Sequence, residues 1–220
     1  MSEDEVEILH SERGPSAAHR WRPCAGSVAL CRGLPNTAGI EAGLGTVFHE
    51  FAALVLEFDV DPHAMVGSKM IVDVDGSPRE LEFDAEMAAK MQVGVDWIRS
   101  YEGPSTVLLV EKRLDLREWV GENEFGTSDA GIIDVEKWRI VVFDWKWGAG
   151  VPVSPLRNDQ AILYFLGFWS TYARGMFEEH IIREGGAQSL EAPWEENIEV
   201  IICIEPVSYT HLTLPTTPYV

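Results

Sequence analysis

Long apolar runs are missing from this 220-residue chain, and no stretch of it is long or apolar enough to cross a bilayer as a helix. Its first residues, MSEDEVEILH, are acidic and polar, whereas a secretory signal needs a basic end followed by an apolar run. A cytoplasmic protein with no membrane partner is expected. Cysteine is scarce too. Cys24, Cys31 and Cys203 are widely separated and odd in number, which argues against a disulfide framework and for reduced thiols. The third shortage is positive charge: 17 Lys and Arg against 36 Asp and Glu give a formal net charge of -19. Nonspecific affinity for phosphates comes chiefly from Lys and Arg, so this balance counts against a nucleic-acid role. Two features reduce its force. Some of the acids could be metal ligands or solvated helix faces, and Arg13, Arg20, Arg22 and Arg32 make the N-terminal segment locally basic, where a nucleic-acid path would run.

The apolar fraction of 46% is ordinary for a globular protein, and a single domain is expected over residues 1–206. Residues 15–32 read as a short helical region interrupted at Pro23, and residues 40–58 as a longer amphipathic helix. A connection with a small strand pair at 69–74 and 79–83 leads to a second helix at 84–101, where Met87, Met91, Val95 and Ile98 recur at helical spacing. Then the period changes. Segments 106–114, 126–135 and 138–147 are rich in Val, Ile and aromatic residues, as strands are. After the loop GAGVPVSP a helical pattern returns at 156–174, and 197–205 reads as one more strand. This order predicts an α/β fold with a mixed sheet between helices. The last residues, 207–220, have no charge and no useful periodicity. They resemble translated adapter read-through, which would mean a natural chain that continues past about Pro206, and they are set aside from the fold; the alternative is a genuine C-terminal extension.

The strand WRIVVFDWKWG carries the chemistry. Side chains alternate along a strand, so Asp144 and Lys146 point one way while Phe143, Trp145 and Trp147 point the other. An Asp and a Lys inside so apolar a run cost stability unless they are paired or bind an ion. A hairpin turning about Glu136 and Lys137 would set Asp129 of GTSDAGIIDV directly opposite Asp144. Opposed residues have Cβ atoms about 4.5–5.5 Å apart, where like charges repel, and a divalent cation would turn that repulsion into binding. Hard oxygen ligands favour Mg²⁺ or Mn²⁺. The alternative is a solvated edge hairpin with an ordinary Asp–Lys ion pair.

His49 lies one helical turn after Gly45 and on the same face. Glycine inside a helix costs about 1 kcal/mol relative to alanine, so Gly43 and Gly45 call for a packing or functional reason. Imidazole suits Mn²⁺ better than Mg²⁺. Residue 53 is Ala, so His49-Glu50 does not begin a zinc-protease motif. Glu111 could add a carboxylate through an outer-shell water, or it is an exposed strand residue beside Lys112. Gln160 and Tyr164 share a helix face. Facing a cleft they could orient a phosphate or stack on a base; otherwise they are a polar position beside a half-buried aromatic.

Together GTVFH (45–49), the strand carrying Glu111, GTSDAGI (126–132), DWKWG (144–148) and QAILY (160–164) resemble, in order, the motifs of RecB-like nucleases of the PD-(D/E)XK superfamily, and most of all a phage- and prophage-associated group within it. The likeness covers roughly residues 11–205. It implies a restriction-endonuclease-like core in which His49, Asp129 and Asp144 bind metal with the backbone carbonyl of Trp145. Lys146 would position or activate the attacking water, and Gln160 and Tyr164 would contact DNA. The implied activity is metal-dependent hydrolysis of DNA phosphodiesters by an exonuclease or end-processing nuclease. It would serve phage recombination or replication in a bacterial or phage-infected cell, with linear DNA ends, a recombination protein or further copies of the chain as partners. Several such nucleases hold an iron–sulfur cluster with one early and three late cysteines. Cys24 matches the early position, but the late trio is missing, so no cluster is expected here.

Two rival readings follow. One is a catalytically inactive DNA-end-binding or interaction module with the same fold, which the net charge favours. The other is an RNA nuclease, whose metal chemistry would be the same.

Overall fold

The computed structural model describes residues 11–34, 39–147, 153–185, 195 and 198–204, with the backbone of 208–213. The acidic start, most of the loop 148–155 and most of the tail lie outside the described residues. A 3₁₀ turn at Pro15–Ala17 leads into two short helices, α1 (Ala18–Trp21) and α2 (Ser27–Cys31), on either side of Pro23. Helix α3 spans Ile40–Phe58 and ends on Asp59, whose left-handed backbone closes the last turn. Strands β1 (Lys69–Val74) and β2 (Ser77–Glu82) form an antiparallel hairpin. Gly43 now has its packing reason: a Cβ there would lie 2.9 Å from Val74 Cγ2, so its absence lets α3 settle on the hairpin. Helix α4 (Ala85–Arg99) starts at Asp84, whose carboxylate accepts from the Met87 amide at 2.9 Å.

Three long strands follow, β3 (Thr106–Asp115), β4 (Phe125–Asp134) and β5 (Arg139–Asp144), joined as antiparallel neighbours. Helix α5 (Asp159–Phe168) is capped by Asn158, which accepts from the Ala161 amide. A five-residue π turn at Trp169–Ala173 separates it from α6 (Arg174–Gly185), where the sequence suggests one continuous helix. The π turn brings the hydroxyls of Ser170 and Thr171 to the end of β3, where they bond the backbone carbonyl and amide of Asp115 at 2.9 Å each. The chain then crosses back to β6 (Glu199–Ile204), parallel to β5 as a helical crossover requires. The result is a mixed sheet in the order β3-β4-β5-β6 flanked by helices, with an edge strand β7 (Ser208–Thr213) antiparallel to β6. Residues 208–213, set aside on sequence grounds, thus form the sheet's last strand.

Alternation along β5 splits the core in two. Val141, Phe143 and Trp145 pack with Phe48, Met91 and Val95 of α3 and α4. Ile140 and Val142 pack with Tyr164, Phe168 and Phe177 on the opposite side. Strands β3 and β4 do not alternate throughout. Val110 faces α3 and α4 while Leu114 faces α5, although both positions are even. On β4, Gly131 lies against Phe168 and Gly126 against Tyr164, so the same change of face occurs there. Between them lie Glu111 and Asp129. The ladder runs from Thr106–Asp134 to Val110–Ala130 and resumes at Lys112–Ser128, skipping this pair. Glu111 has a φ of 46°, the left-handed region that a non-glycine residue occupies at a cost of the order of 1–3 kcal/mol.

Candidate metal centre

The register that closes β4 on β5 is the one expected from a turn at Glu136 and Lys137. Pairing continues to Ala130–Phe143, and one further step sets Asp129 opposite Asp144. The β3–β4 register sets Glu111 beside Asp129 in the same way. Three carboxylates from three adjacent strands therefore occupy one row, where the β3–β4 ladder is interrupted and the β4–β5 ladder ends. The solvated edge hairpin is not what forms. Strands β4 and β5 are internal, Asp129 is 8% exposed and Asp144 is 3% exposed.

Strand β5 ends at Asp144, three residues before the predicted boundary, and Asp129 is the reason. Its Oδ2 accepts the Trp145 amide proton at 2.6 Å, replacing a ladder bond and turning the chain away. Asp129 Oδ1 lies 3.1 Å from Nδ1 of His49, which α3 delivers from across the sheet. Ligand atoms of His49, Glu111 and Asp129 lie within 4.8 Å of one another. They open on a cleft of about 660 Å³ that Gly45, Glu50 and Glu57 also line. The shared face of Gly45 and His49 is thus the cleft wall. Glu111 takes a more central place than an outer-shell role requires, and it is an exposed residue in a strained conformation.

Asp144 faces the α5 side. Its Oδ2 is 2.6 Å from Lys146 Nζ, and its Oδ1 accepts from Gln160 Nε2 at 3.0 Å. Gln160 Nε2 also donates to the Tyr164 hydroxyl at 3.1 Å, while Gln160 Oε1 accepts from Lys146 at 3.2 Å. Lys146 meets Asp144 as alternation predicts, even though it lies beyond the strand. Tyr164 differs from expectation. It is 5% exposed and packs in the core on the α5 side, which leaves its ring no open face for a base, and its hydroxyl meets the site through Gln160. Asp144 is grouped with Lys146 and Gln160 rather than with the His49, Glu111 and Asp129 trio, and the Trp145 contact to Asp129 is through its amide.

The electrostatics follow from the crowding. Glu111 is exposed as a residue but lines the cleft, and the shielding of its carboxyl there, then the charge of Asp129, push it up to about 7, against the opposing effect of His49. Burial and Asp129 also raise Asp144, with Lys146 opposing them. Burial lowers the His49 imidazole, but its hydrogen bond to Asp129 and the charges of Asp129, Asp144 and Glu111 outweigh this and raise it overall. Burial, followed by Asp144 and Asp129, lifts the Tyr164 hydroxyl far above its ordinary value. Burial and mutual repulsion thus both favour the protonated carboxyls of Glu111 and Asp144, and a divalent ion would oppose them. One imidazole and two carboxylates suit Mn²⁺ or Mg²⁺, and so few protein ligands leave room for water and a phosphate oxygen.

Three of the four N-terminal arginines are already paired. Arg13 pairs with the buried Glu124 at 3.2 Å, Arg32 with Glu12 at 2.7 Å, and Arg22 with Asp159. Sequence reasoning missed Glu124, which also binds the Ser11 hydroxyl and the Arg13 amide and so fastens the N-terminal segment to the body. Cys24 is exposed, Cys31 half-buried and Cys203 buried, and no disulfide joins them.

Residues 10–179 match the family described as a protein of unknown function, DUF2800. The chain belongs to this family. The matched DUF2800 span contains His49, Glu111, Asp129, Asp144, Lys146, Gln160 and Tyr164, and ends before β6. The family description assigns no activity, and no solved structure matches the chain. No helix among the described residues is long and apolar enough to cross a membrane.

Proposed function

We propose that this DUF2800 protein is a metal-dependent phosphodiester hydrolase with a PD-(D/E)XK core, acting on DNA as an exonuclease or end-processing nuclease in phage recombination or replication. The observation that carries this reading is the juxtaposition of His49, Glu111 and Asp129 with the Asp144–Lys146 pair across one register row. When bound, a divalent cation would supply charge that polarises the phosphoryl group and acidifies water. His49, Glu111 and Asp129 would hold it, with Asp144 next in line. Lys146 offers a cationic Nζ beside that row. It would orient the attacking water and offset charge on the phosphate, while Gln160 holds Lys146 and Asp144 together through its hydrogen bonds.

The test is digestion of end-labelled linear and closed circular DNA with Mg²⁺, Mn²⁺ or EDTA, comparing the parent with Lys146→Ala. Metal-dependent loss of the linear substrate alone, absent in the variant, supports an exonuclease, and cleavage of both supports an endonuclease. A folded, metal-bound parent that cleaves neither sinks the hydrolase reading. Binding that persists in EDTA would then favour an inactive DNA-end-binding module, which the net charge of -19 and the paired arginines already favour over broad nonspecific binding.

A further inference from the structure

A second hollow opens beside Lys146 and Gln160, the two side chains that bond Asp144. It measures about 460 Å³ and is lined by Ser16, His19, Lys146, Arg157, Asn158 and Gln160 among others. The two hollows differ in charge. The first carries Glu50, Glu57, Glu111 and Asp129 beside His49. In the second, Lys146, Arg157 and His19 face Asp159, whose carboxylate already pairs with Arg22. In a chain with 36 acidic side chains against 17 Lys and Arg, a hollow in which Lys146, Arg157 and hydrogen-bonding groups face a single, already paired carboxylate is unusual. It begins at the reacting centre, because Lys146 and Gln160 both bond Asp144.

The groove is also built into the fold. Ser16 and His19 belong to the N-terminal turn and α1, which one internal contact braces and two others hold to the body. Pro15 packs so closely on Gly126 that a Cβ there would lie 2.6 Å from its Cγ. Trp21 Nε1 donates to the Gly14 carbonyl at 3.0 Å. Glu124 takes the Ser11 hydroxyl and the Arg13 amide. These ties carry the start of the chain to the mouth of the Lys146 site.

We propose, building on the hydrolase reading, that this groove binds a second phosphoryl group of the substrate strand, next to the one attacked, through Arg157 and His19. A guanidinium fork suits phosphate oxygens, and Ser16 and Asn158 add neutral polar groups. The acidic cleft repels a phosphate backbone, so the intact strand leaves the centre on the Lys146 side. The second group is either the adjacent internal phosphate or a terminal one.

The experiment reads binding without turnover: fluorescence anisotropy of a labelled single-stranded oligodeoxynucleotide in EDTA, over a salt series, with 5′-phosphate, 3′-phosphate and hydroxyl ends. Parent, His19→Gln/Arg157→Gln and a control, Arg79→Gln on the distant hairpin, are compared, with melting curves to verify folding. The double variant should bind roughly tenfold more weakly, as for loss of a charged hydrogen bond. Its slope of log affinity against log salt should shrink by about 0.7 for each phosphate that is no longer neutralised. Arg79→Gln should match the parent. A preference for a phosphorylated end that the double variant loses assigns the groove to a terminal phosphate; equal weakening for all ends assigns it to an internal one. A parent that does not bind, or a double variant that binds like the parent, overturns the proposal. Cleavage of the same oligonucleotides in Mn²⁺ is scored separately, so a parent that binds through the groove but never cleaves refutes only the hydrolase reading.

Discussion

His49 and Asp129 stand 80 positions apart in the chain and 3.1 Å apart in the fold. The carboxylate of Asp129 is doubly engaged, since its other oxygen takes the Trp145 amide. Asp129 is therefore the joint between α3, β4 and the end of β5, and it is also the most central of the proposed metal ligands. Asp129→Asn separates the two roles. The amide oxygen can still accept from Trp145, so folding should survive, whereas the lost charge should weaken Mn²⁺ binding by about tenfold or more, the scale seen even for groups one shell removed from a metal. Titration calorimetry with Mn²⁺ decides it, and an unchanged affinity would remove Asp129 from the ligand set.

Glu111 gives the centre a pH dependence whose sign can be worked out. Its carboxyl is raised from 4.5 to about 7, so the folded protein holds this proton more tightly than the unfolded chain does. The associated stability is complete below about pH 4.5 and is lost as pH rises through 7. In EDTA, the melting temperature of the parent minus that of Glu111→Gln should fall between about pH 5 and pH 8. The variant comparison matters because Asp144 and His49, also raised, titrate in the same sense. Metal affinity should move oppositely, strengthening as pH rises through about 7, since binding must expel the Glu111 proton. A flat difference across that range would mean that Glu111 is solvated and normal.

Much of this arrangement was legible in the sequence, because local periodicity and short-range register determine it. The 40–58 helix has the observed bounds, and the turn about Glu136 and Lys137 leads to the observed β4–β5 pairing. Where the sequence reading fell short, tertiary contacts prevail over local pattern. Strand β5 stops at Asp144 because a carboxylate 16 residues away takes the next amide. The single predicted helix at 156–174 breaks into a π turn because β3 needs hydroxyl partners at Asp115. Tyr164 could be a cleft residue from spacing alone, yet it packs in the core on the α5 side. The change of face at Glu111 leaves no mark in the residue pattern, since both Val110 and Leu114 are apolar.

Gly94 on α4 tests how closely the helix must approach the site. A Cβ there would run into the indole of Trp145, and Phe143 Cζ lies 2.9 Å from the same point. Alanine, normally the better helix former, should therefore destabilise the protein by about 1–3 kcal/mol through overpacking. Trp145 would be pushed along with its amide, so Mn²⁺ binding should weaken as well. Urea denaturation with and without Mn²⁺ measures both effects. A Gly94→Ala protein as stable as the parent would show that α4 stands farther from the sheet.

The Asp144–Lys146–Gln160–Tyr164 chain predicts a graded loss of cleavage if the hydrolase reading holds. Lys146→Ala removes the cation paired with a buried carboxylate and the group proposed to orient the attacking water, so the single-turnover rate in Mn²⁺ should fall by about 10²–10⁴-fold. Gln160→Ala leaves both charges in place but frees them to wander, and should cost less than Lys146→Ala. Tyr164→Phe removes a single hydroxyl contact to Gln160 and keeps the ring packed, so it should cost least. Gln160→Glu discriminates positioning from bulk, because a similar side chain with a negative charge would face Asp144 at hydrogen-bonding distance. It should be worse than alanine despite its better fit. If the glutamate variant outperforms the alanine one, Gln160 acts through space-filling, and the hydrogen-bonded bridge between Lys146 and Asp144 is not what sets the rate.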